Sequence, residues 1–299
     1  MDVVLTELGK TLTARWAALI VLPGVLFTAA LGVAGALGQA HPWDRAQLVR
    51  QVEHAGDQLH GRSAAGLLVL GAAIMVSAGA GLAAQALGGL ISRAWLYPWP
   101  SPLLRLAAPL VTYRARRWDE AHRAVVARYP RSGESLPRDE TREVNRRITY
   151  RNARGLLRPT TATWMADRME AANERVWTWW GIDVGFSWPR LWLLLPTEQQ
   201  EVLAAERARV QRAAGLAGWA GLYGALALWW WPAALAAGVA LVSGWWQARQ
   251  ATDVFGHLVE SAFDLHGRAL AEALGLAPAP GPLSEDTGHR ITDMLRKHA

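Results

Sequence analysis

Charged residues along this chain are confined to certain stretches and are absent from three long apolar windows. The windows are Trp16–Gly38, Ser63–Ser92 and Ala213–Ala248. Because an α-helix rises about 1.5 Å per residue, about 20 apolar residues cross a hydrocarbon core of about 30 Å. The first two windows therefore each predict one transmembrane helix. The first exceeds the roughly 7–15 residues of a signal-peptide core, so it is interpreted as an anchor rather than a cleaved signal.

The third window is too long for a single simple crossing. As one helix it would extend about 54 Å, and Trp229-Trp230-Trp231-Pro232 stands in its middle. Proline interrupts a helix, and tryptophan favours the headgroup region of a bilayer. The pattern predicts a tight hairpin of two short spans, with Trp245-Trp246 at the returning interface. The alternative, one kinked span, would place the C-terminus on the opposite side of the membrane.

The polar stretches show helical periodicity and no strand-like alternation. Thr197 and Gln200, just after a proline, have the spacing of a capping box that begins a helix. A proline-rich linker and a short amphipathic helix are predicted at the C-terminus. The other helices predicted outside the apolar windows are 110–129, 138–157, 162–180, 198–212 and 249–275.

Together these elements predict an all-α, multi-pass integral membrane protein with about four transmembrane helices in a two-plus-two arrangement and a helical cytoplasmic domain. That order resembles the topology of bestrophin-type channels, although Ile91-Ser92-Arg93-Ala94-Trp95 stands where that family carries a polar signature. The predicted segments are a cytoplasmic N-terminal segment 1–15, a first helix pair 16–92 with a polar outer connector 39–62, an arginine-rich cytoplasmic domain 93–212, a second hairpin 213–248 and a cytoplasmic tail 249–299.

Charge predicts the orientation of these segments. The net charge is +6, and all but two of the 31 basic residues are arginine. The basic surplus lies between the second and third windows, as expected of a cytoplasmic loop facing anionic headgroups. Arg212 and Arg249 flank the third window, whose tip has no charge, so both termini are predicted on the cytoplasmic side of the inner (cytoplasmic) membrane. The absence of cysteine excludes disulfides and thiolate chemistry.

Small residues within the windows predict close helix packing. The run Gly79–Ala84 matches a dinucleotide-binding G-x-G-x-x-A, but no strand precedes it and no acidic residue follows until Asp119, so packing is the preferred interpretation. The predicted packing residues are Ser77, Gly81, Ala84, Gly88, Gly221 and Gly238. The aromatic residues predicted at the membrane interface are Trp95, Trp99, Trp229, Trp230, Trp231, Trp245 and Trp246.

One stripe of the predicted tail helix carries a possible metal site. Asp253, His257, Glu260 and Asp264 recur at helical spacing, and a histidine with carboxylates on one face is able to hold a divalent cation. The preferred interpretation is a ladder of i,i+4 partners on a solvated face, running from Arg249 through Asp253 to His257 and from Asp264 to Arg268. We therefore predict no metal, cofactor or catalytic residue, with His257, Glu260 and Asp264 remaining as metal candidates.

The arginine-rich and tryptophan-rich stretches each allow two interpretations. The arginines are interleaved with acids such as Asp119 and Glu143, which favours salt-bridged or lipid-facing surfaces over binding of nucleic acid. The segment 177–196 holds five tryptophans but is too short and broken to span a bilayer. Core or interface packing is preferred there to an amphipathic membrane dock or an exposed partner site.

The function predicted from these features is a homo-oligomeric membrane channel or pore-forming protein with a cytoplasmic sensing or assembly domain. The spans hold no ionisable side chain, which argues against secondary active transport, and the chain has no recognisable catalytic motif. The alternative is a non-catalytic, membrane-tethered scaffold or effector subunit that acts with a soluble cytoplasmic partner, and that permeabilises the membrane in a defence setting. A membrane enzyme with a metal at the tail stripe is a third hypothesis. The expected partners are the lipid bilayer, further copies of the chain and a soluble protein.

Overall fold

The computed structural model describes residues 22–59, 63–128, 137–276, 281 and 283–297. In these ranges the chain is all-α, without a strand. The N-terminal segment 1–15, the start of the first apolar window and most of the C-terminal linker lie outside the described residues. The helix bounds are α1 Leu22–Leu37, α2 Arg45–Leu59, α3 Ser63–Leu96, α4 Ser101–Val126, α5 Arg138–Asn152, α6 Trp164–Trp180, α7 Val184–Leu194, α8 Thr197–Leu226, α9 Ala233–Ala273 and α10 Glu285–Arg296.

Three of the predicted helices differ from the observed ones at their ends. The helix predicted at 110–129 begins earlier, as α4, and continues through Pro109, which removes a single backbone hydrogen bond from a long helix. The helix predicted at 138–157 ends at Asn152. The tail helix predicted from residue 249 is not a separate element. It continues α9 from the third window, because no proline or glycine interrupts the chain at that point.

The predicted capping box at the start of α8 is wrong in its contacts. Thr197 is the first helical residue, and the carbonyl of Pro196 accepts the first amide bonds of the helix. The Gln200 side chain does not reach back to the Thr197 amide. It donates instead to the carbonyls of Trp192 and Leu195, at 2.9 and 3.0 Å, and so satisfies the end of α7.

The chain divides into two compact units. The first unit comprises Met1–Ile91 and Gln211–Trp246, and the second comprises Ser92–Val210 and Gln247–Ala299. Helices α3, α8 and α9 contribute residues to both.

In the first unit, helices pack through backbone-to-backbone contacts at small residues. A Cβ added at Gly88 would lie 2.9 Å from the Cα of Gly215, and one added at Gly244 would lie 2.7 Å from the Ala213 carbonyl oxygen. These approaches join α3 to α8 and α8 to α9. Helix backbones come this close only where the residues at the contact have no side chain or a very small one, as in helix pairs that associate inside membranes.

The third window folds as a helical hairpin. Helix α8 ends at Leu226 and α9 begins at Ala233, and the contact of Gly244 with Ala213 makes the two helices antiparallel. The Gln39 side chain holds the turn between them, donating to the carbonyls of Ala227 and Leu228 at 3.0 and 2.8 Å and accepting from the amide of Trp231 at 3.2 Å. The connector after α1 therefore satisfies polar groups left free at the end of α8.

Many large apolar side chains of the first unit are exposed. Leu68 is 75% exposed and Met75 is 77% exposed. Among the described helices, one (Ala64–Leu96) is long and apolar enough to cross a membrane by length and composition, and Leu22–Leu37 is a shorter apolar helix. Other strongly exposed apolar residues of this unit are Leu22, Leu26, Leu67, Leu70, Leu82, Leu90, Leu228, Leu235, Val239 and Val242.

The second unit has a conventional apolar core assembled from distant segments. A left-handed Gly181 (φ 65°) ends α6, and Asp183 caps α7 by accepting from the Gly185 amide. The Thr292 hydroxyl on α10 donates to the Gly181 carbonyl at 2.9 Å and accepts from the Asp183 amide at 3.0 Å, so α10 is fixed to this bend. The core residues include Val176, Ile182, Leu191, Leu203, Phe263, Leu270 and Ile291.

Candidate functional site

A fully buried arginine lies at the centre of a charge network between α6 and α9. The Arg168 side chain is 0% exposed, and its Nε donates to Asp253 at 2.7 Å while Nη1 donates to Glu260 at 2.9 Å. The second oxygen of Glu260 accepts from Arg175 at 2.9 Å. Gly256 makes room for the guanidinium, because a Cβ at that position would lie 2.7 Å from Arg168 Cζ.

This network occupies the stripe predicted as a possible metal site. The carboxylates of Asp253 and Glu260 bind arginine, and Asp264 accepts from the Trp180 indole at 2.8 Å. His257 is exposed, with Nε2 3.7 Å from Asp253. Across the described residues, no group of three His, Cys, Asp or Glu side chains is arranged to hold a metal ion.

Most of the predicted i,i+4 ladder is also replaced. Arg249 donates to the Ala153 carbonyl and lies over the Trp164 ring at 4.1 Å. Burial lowers its pKa from the usual arginine value. Arg268 pairs with Glu272 at 2.9 Å rather than with Asp264. Of the three predicted pairs, the Asp253–His257 contact is the one observed, because Arg249 and Asp264 have tertiary partners and Arg268 pairs with a different i,i+4 neighbour, Glu272.

Several arginines of the basic stretch pair within the protein. Arg114 lies 2.7 Å from the buried Asp167, which also accepts from the Thr161 amide at 2.8 Å. A hydrogen bond from Arg158 lowers the pKa of Asp119, and one from Arg147 lowers the pKa of Glu143. The interleaved acids therefore serve as intramolecular partners for these arginines.

The predicted packing residues of α3 lie on one buried face. Ser77, Gly81, Ala84 and Gly88 are all buried. The Ser77 and Thr28 hydroxyls are 2.8 Å apart, which links α3 to α1.

The two other predicted packing glycines differ from one another. Gly221 makes only an ordinary contact with Leu87, whereas Gly238 is exposed, with open space around it in the described chain. Sequence reasoning missed three glycines at close helix approaches of the first unit, which are Gly24, Gly218 and Gly244. Small residues recur every four positions at Ala214 and Gly218 and at Ala240, Gly244 and Ala248, and this spacing is the sequence signal for two of these contacts.

A second face of α3 is exposed and carries one polar side chain. Gln85 lies on it with Gly71, Ala78, Leu82 and Gly89. We call this set the Gln85 face. Gln85 is the only side-chain amide between residues 63 and 92, where no charge occurs.

The tryptophans predicted at an interface have several environments. Trp95 is buried, and its carbonyl accepts from the Thr163 hydroxyl at 2.6 Å. The Trp99 indole donates to the Ala94 carbonyl at 2.8 Å. At the hairpin turn the Trp230 indole donates to Pro42 at 3.2 Å. The exposed members of the set are Trp229, Trp231, Trp245 and Trp246.

The tryptophan-rich segment 177–196 is partly core and partly surface. Trp188 and Trp192 pack against the apolar core of the second unit. Trp179 is 72% exposed, and Arg296 lies 5.9 Å from the ring centres of both Trp177 and Phe186. One end of the segment therefore contributes to folding, and the other presents aromatic side chains to solvent.

Comparison of the chain with protein families, curated proteins and solved structures finds no match.

Proposed function

We propose that this protein is the subunit of a homo-oligomeric membrane channel, with its first unit in the bilayer and its second unit on the cytoplasmic side. The observation that carries the proposal is the distribution of side chains in the first unit. The closest helix contacts in its interior are made at glycine, alanine and serine, whereas most of the largest exposed side chains on its apolar helices are leucine, valine and methionine. A helical bundle in water has the opposite distribution.

An aqueous location is unfavourable for this surface. Monomeric soluble proteins rarely expose a contiguous apolar patch larger than a few hundred Å², whereas the exposed apolar residues here cover α1, α3 and the hairpin. The four segments proposed to cross the bilayer are α1, residues 63–91 of α3, residues 213–226 of α8 and residues 233–246 of α9. Arg93, Arg212 and Arg249 lie at the ends of these segments, which favours a cytoplasmic second unit.

The Gln85 face supports assembly of several copies. Gln85 precedes Arg93 by about two helical turns, or about 12 Å, which places its amide inside the hydrocarbon layer in this arrangement. An exposed amide there lacks water and gains from a hydrogen bond to another helix, an interaction of about 0.6–2 kcal/mol. Because Gly89 and Ala78 flank it, a second copy of α3 is able to approach closely.

The ion pathway of the proposed channel would lie between subunits rather than within one subunit. The interior of the first unit is closed by direct contacts such as Gly88 against Gly215 and Gly244 against Ala213. These contacts bring the helix backbones against one another in the described part of the unit. Gln85 would then contribute to the interface or to the wall of a shared pore.

Single-cysteine crosslinking tests the assembly, because the chain has no native cysteine. We expect Gln85→Cys to form disulfide-linked dimers in membranes. The matched control is Ala83→Cys, at similar depth but about 160° around the helix, and we expect no crosslink there. Reconstituted wild-type protein should conduct ions, and Gln85→Leu should reduce oligomer size in detergent. Monomeric wild-type protein without current in planar bilayers would refute the channel.

A second candidate function is a membrane-tethered scaffold for a soluble protein, and the exposed aromatic end of segment 177–196 favours it. Trp177 and Phe186 flank Arg296 and are partly exposed, while Trp179 is exposed about 160° further around α6, so aromatic side chains of the kind enriched at protein interfaces face solvent on two sides of this helix. We expect Trp179→Ala to abolish co-purification of a stoichiometric partner from the native host. The matched control is Trp246→Ala, an exposed tryptophan of the first unit. Purified protein without a stoichiometric partner argues against this function.

A further inference from the structure

The second unit contains a cavity of about 240 Å³. Its walls come from the end of α3, from α6, from the N-terminal half of α8 and from α9. We call it the Thr252 cavity. Its volume is below the roughly 300–1,000 Å³ of sites for drug-sized ligands, so it suits a small polar group with a short apolar attachment. Its apolar lining is Leu96, Pro98, Ala166, Met169, Val210 and Phe255.

Thr252, one of the residues that line the cavity, has a buried hydroxyl without a hydrogen-bond partner among the described residues. Thr252 is fully buried, and its Oγ1 has no partner among the described residues. A buried polar group left unsatisfied costs about 1–3 kcal/mol. A ligand group that bonds to this hydroxyl would remove that cost.

The cavity is also lined by two opposite charges that do not pair with each other. Glu170 and Arg207 both line it, and in the described part of the chain neither takes part in an ion pair. Asn173 adds an amide beside Glu170, one helical turn further along α6. By contrast, Arg168 and Glu260 of the same unit form an ion pair with each other. The Thr252 cavity thus offers one cationic and one anionic group to the same ligand.

The position of the cavity along its helices identifies a source for such a ligand. Leu96 lies one turn after Arg93, and Thr252 lies one turn after Arg249. In the proposed membrane arrangement those arginines mark the ends of apolar segments. The cavity then begins about 5 Å beyond the hydrocarbon boundary, at the level of lipid headgroups.

We propose that the Thr252 cavity binds the headgroup of a zwitterionic phospholipid that carries a phosphate and a primary amine. Arg207 binds the phosphate and Glu170 binds the ammonium. The Thr252 hydroxyl donates to a ligand oxygen, and the apolar lining contacts the carbon atoms that join headgroup to chains. This ligand assignment rests on the proposed membrane location, whereas the charge recognition does not.

Binding is tested on the full-length protein in detergent by native mass spectrometry. The probes are dihexanoyl phosphatidylethanolamine, dihexanoyl phosphatidylglycerol and soluble phosphoethanolamine. We expect the ethanolamine lipid to bind at least about tenfold more tightly than the glycerol lipid, and phosphoethanolamine to compete with it. Arg207→Gln, Glu170→Gln and Thr252→Val should each weaken binding, the charge changes by about tenfold.

Matched controls separate recognition from general effects of charge. Arg209→Gln and Glu174→Gln remove the same charges from the same helices outside the cavity, and we expect wild-type binding from both. Equal binding of the two lipids, or equal loss in control and cavity variants, overturns the proposal. If the protein leaves membranes on carbonate extraction but still binds phosphoethanolamine selectively, the membrane location fails while the zwitterion site stands.

Discussion

The buried Arg168 shows how a single residue joins two distant parts of the second unit. Its partners Asp253 and Glu260 lie 85 and 92 residues further along the chain. A buried guanidinium is tolerated only when its donors are engaged, and here two carboxylates engage it. Gly256 supplies the space that such a large side chain requires.

We expect Arg168→Ala to lower the free energy of unfolding of the second unit by about 2–4 kcal/mol, because it leaves the mostly buried Glu260 without its buried partner. The effect stays below the maximum for buried pairs because Asp253 is about half exposed. Thermal unfolding of the detergent-solubilised protein measures it. Arg142→Ala removes an exposed ion pair with Asp139 and should change stability by less than about 0.5 kcal/mol. Equal effects of the two changes would contradict this role.

The helices of the first unit depend on positions where a side chain is absent. A side chain at Gly88, Gly218 or Gly244 would meet the backbone of a neighbouring helix, whereas Gly238 faces open space in the described chain. Glycines of the same unit therefore have different roles, which the residue type alone does not reveal.

We expect Gly88→Ala to destabilise the first unit by about 1–3 kcal/mol, because the new methyl group would meet the backbone at Gly215. Gly238→Ala should be neutral or slightly stabilising within one chain, since alanine favours helix. Unfolding in detergent followed by circular dichroism compares the two. A larger loss for Gly238→Ala would instead indicate that this glycine contacts another copy.

The hairpin turn depends on one amide side chain. Gln39→Leu removes the donor to the carbonyls of Ala227 and Leu228 and the acceptor for the Trp231 amide. We expect hydrogen exchange at Trp231 to accelerate by about tenfold, equivalent to about 1.4 kcal/mol of local stability. Gln51→Leu, on the exposed side of α2, is the control and should leave that rate unchanged.

At the scale of the whole molecule, the sequence was sufficient for the helical class and for the break at Pro232. The charge-free windows and the proline beside three tryptophans are signals within short stretches of sequence. The helical class and the break at Pro232 depend on such local signals. The partners of Arg168 were not predictable, because they lie 85 and 92 residues away and are brought to it only by the packing of α6 against α9. The same holds for Gln200, which binds the end of α7 instead of completing a capping box. The closest glycine contacts were missed because they require knowing which helices are neighbours.

The proposed orientation is tested with single cysteines and a membrane-impermeant thiol reagent on intact cells. We expect labelling of Glu53→Cys in the outer connector and none of Glu140→Cys or Asp286→Cys. All three residues are exposed, so a lack of labelling would reflect the membrane rather than burial. Permeabilised cells should label at every site. Labelling of Asp286→Cys on intact cells would refute the four-span arrangement.

The hairpin also has a consequence for the surrounding lipid. Residues 213–226 of α8 and 233–246 of α9 are helix segments about 21 Å long, whereas a typical hydrocarbon core is about 30 Å thick. Residues 63–92 of the adjacent α3 reach about 45 Å. No bilayer of uniform thickness matches both lengths, so α3 would tilt while lipid thins around the hairpin. Such hydrophobic mismatch would make the protein prefer membranes with short acyl chains, and conductance in bilayers of graded chain length should fall as the chains lengthen.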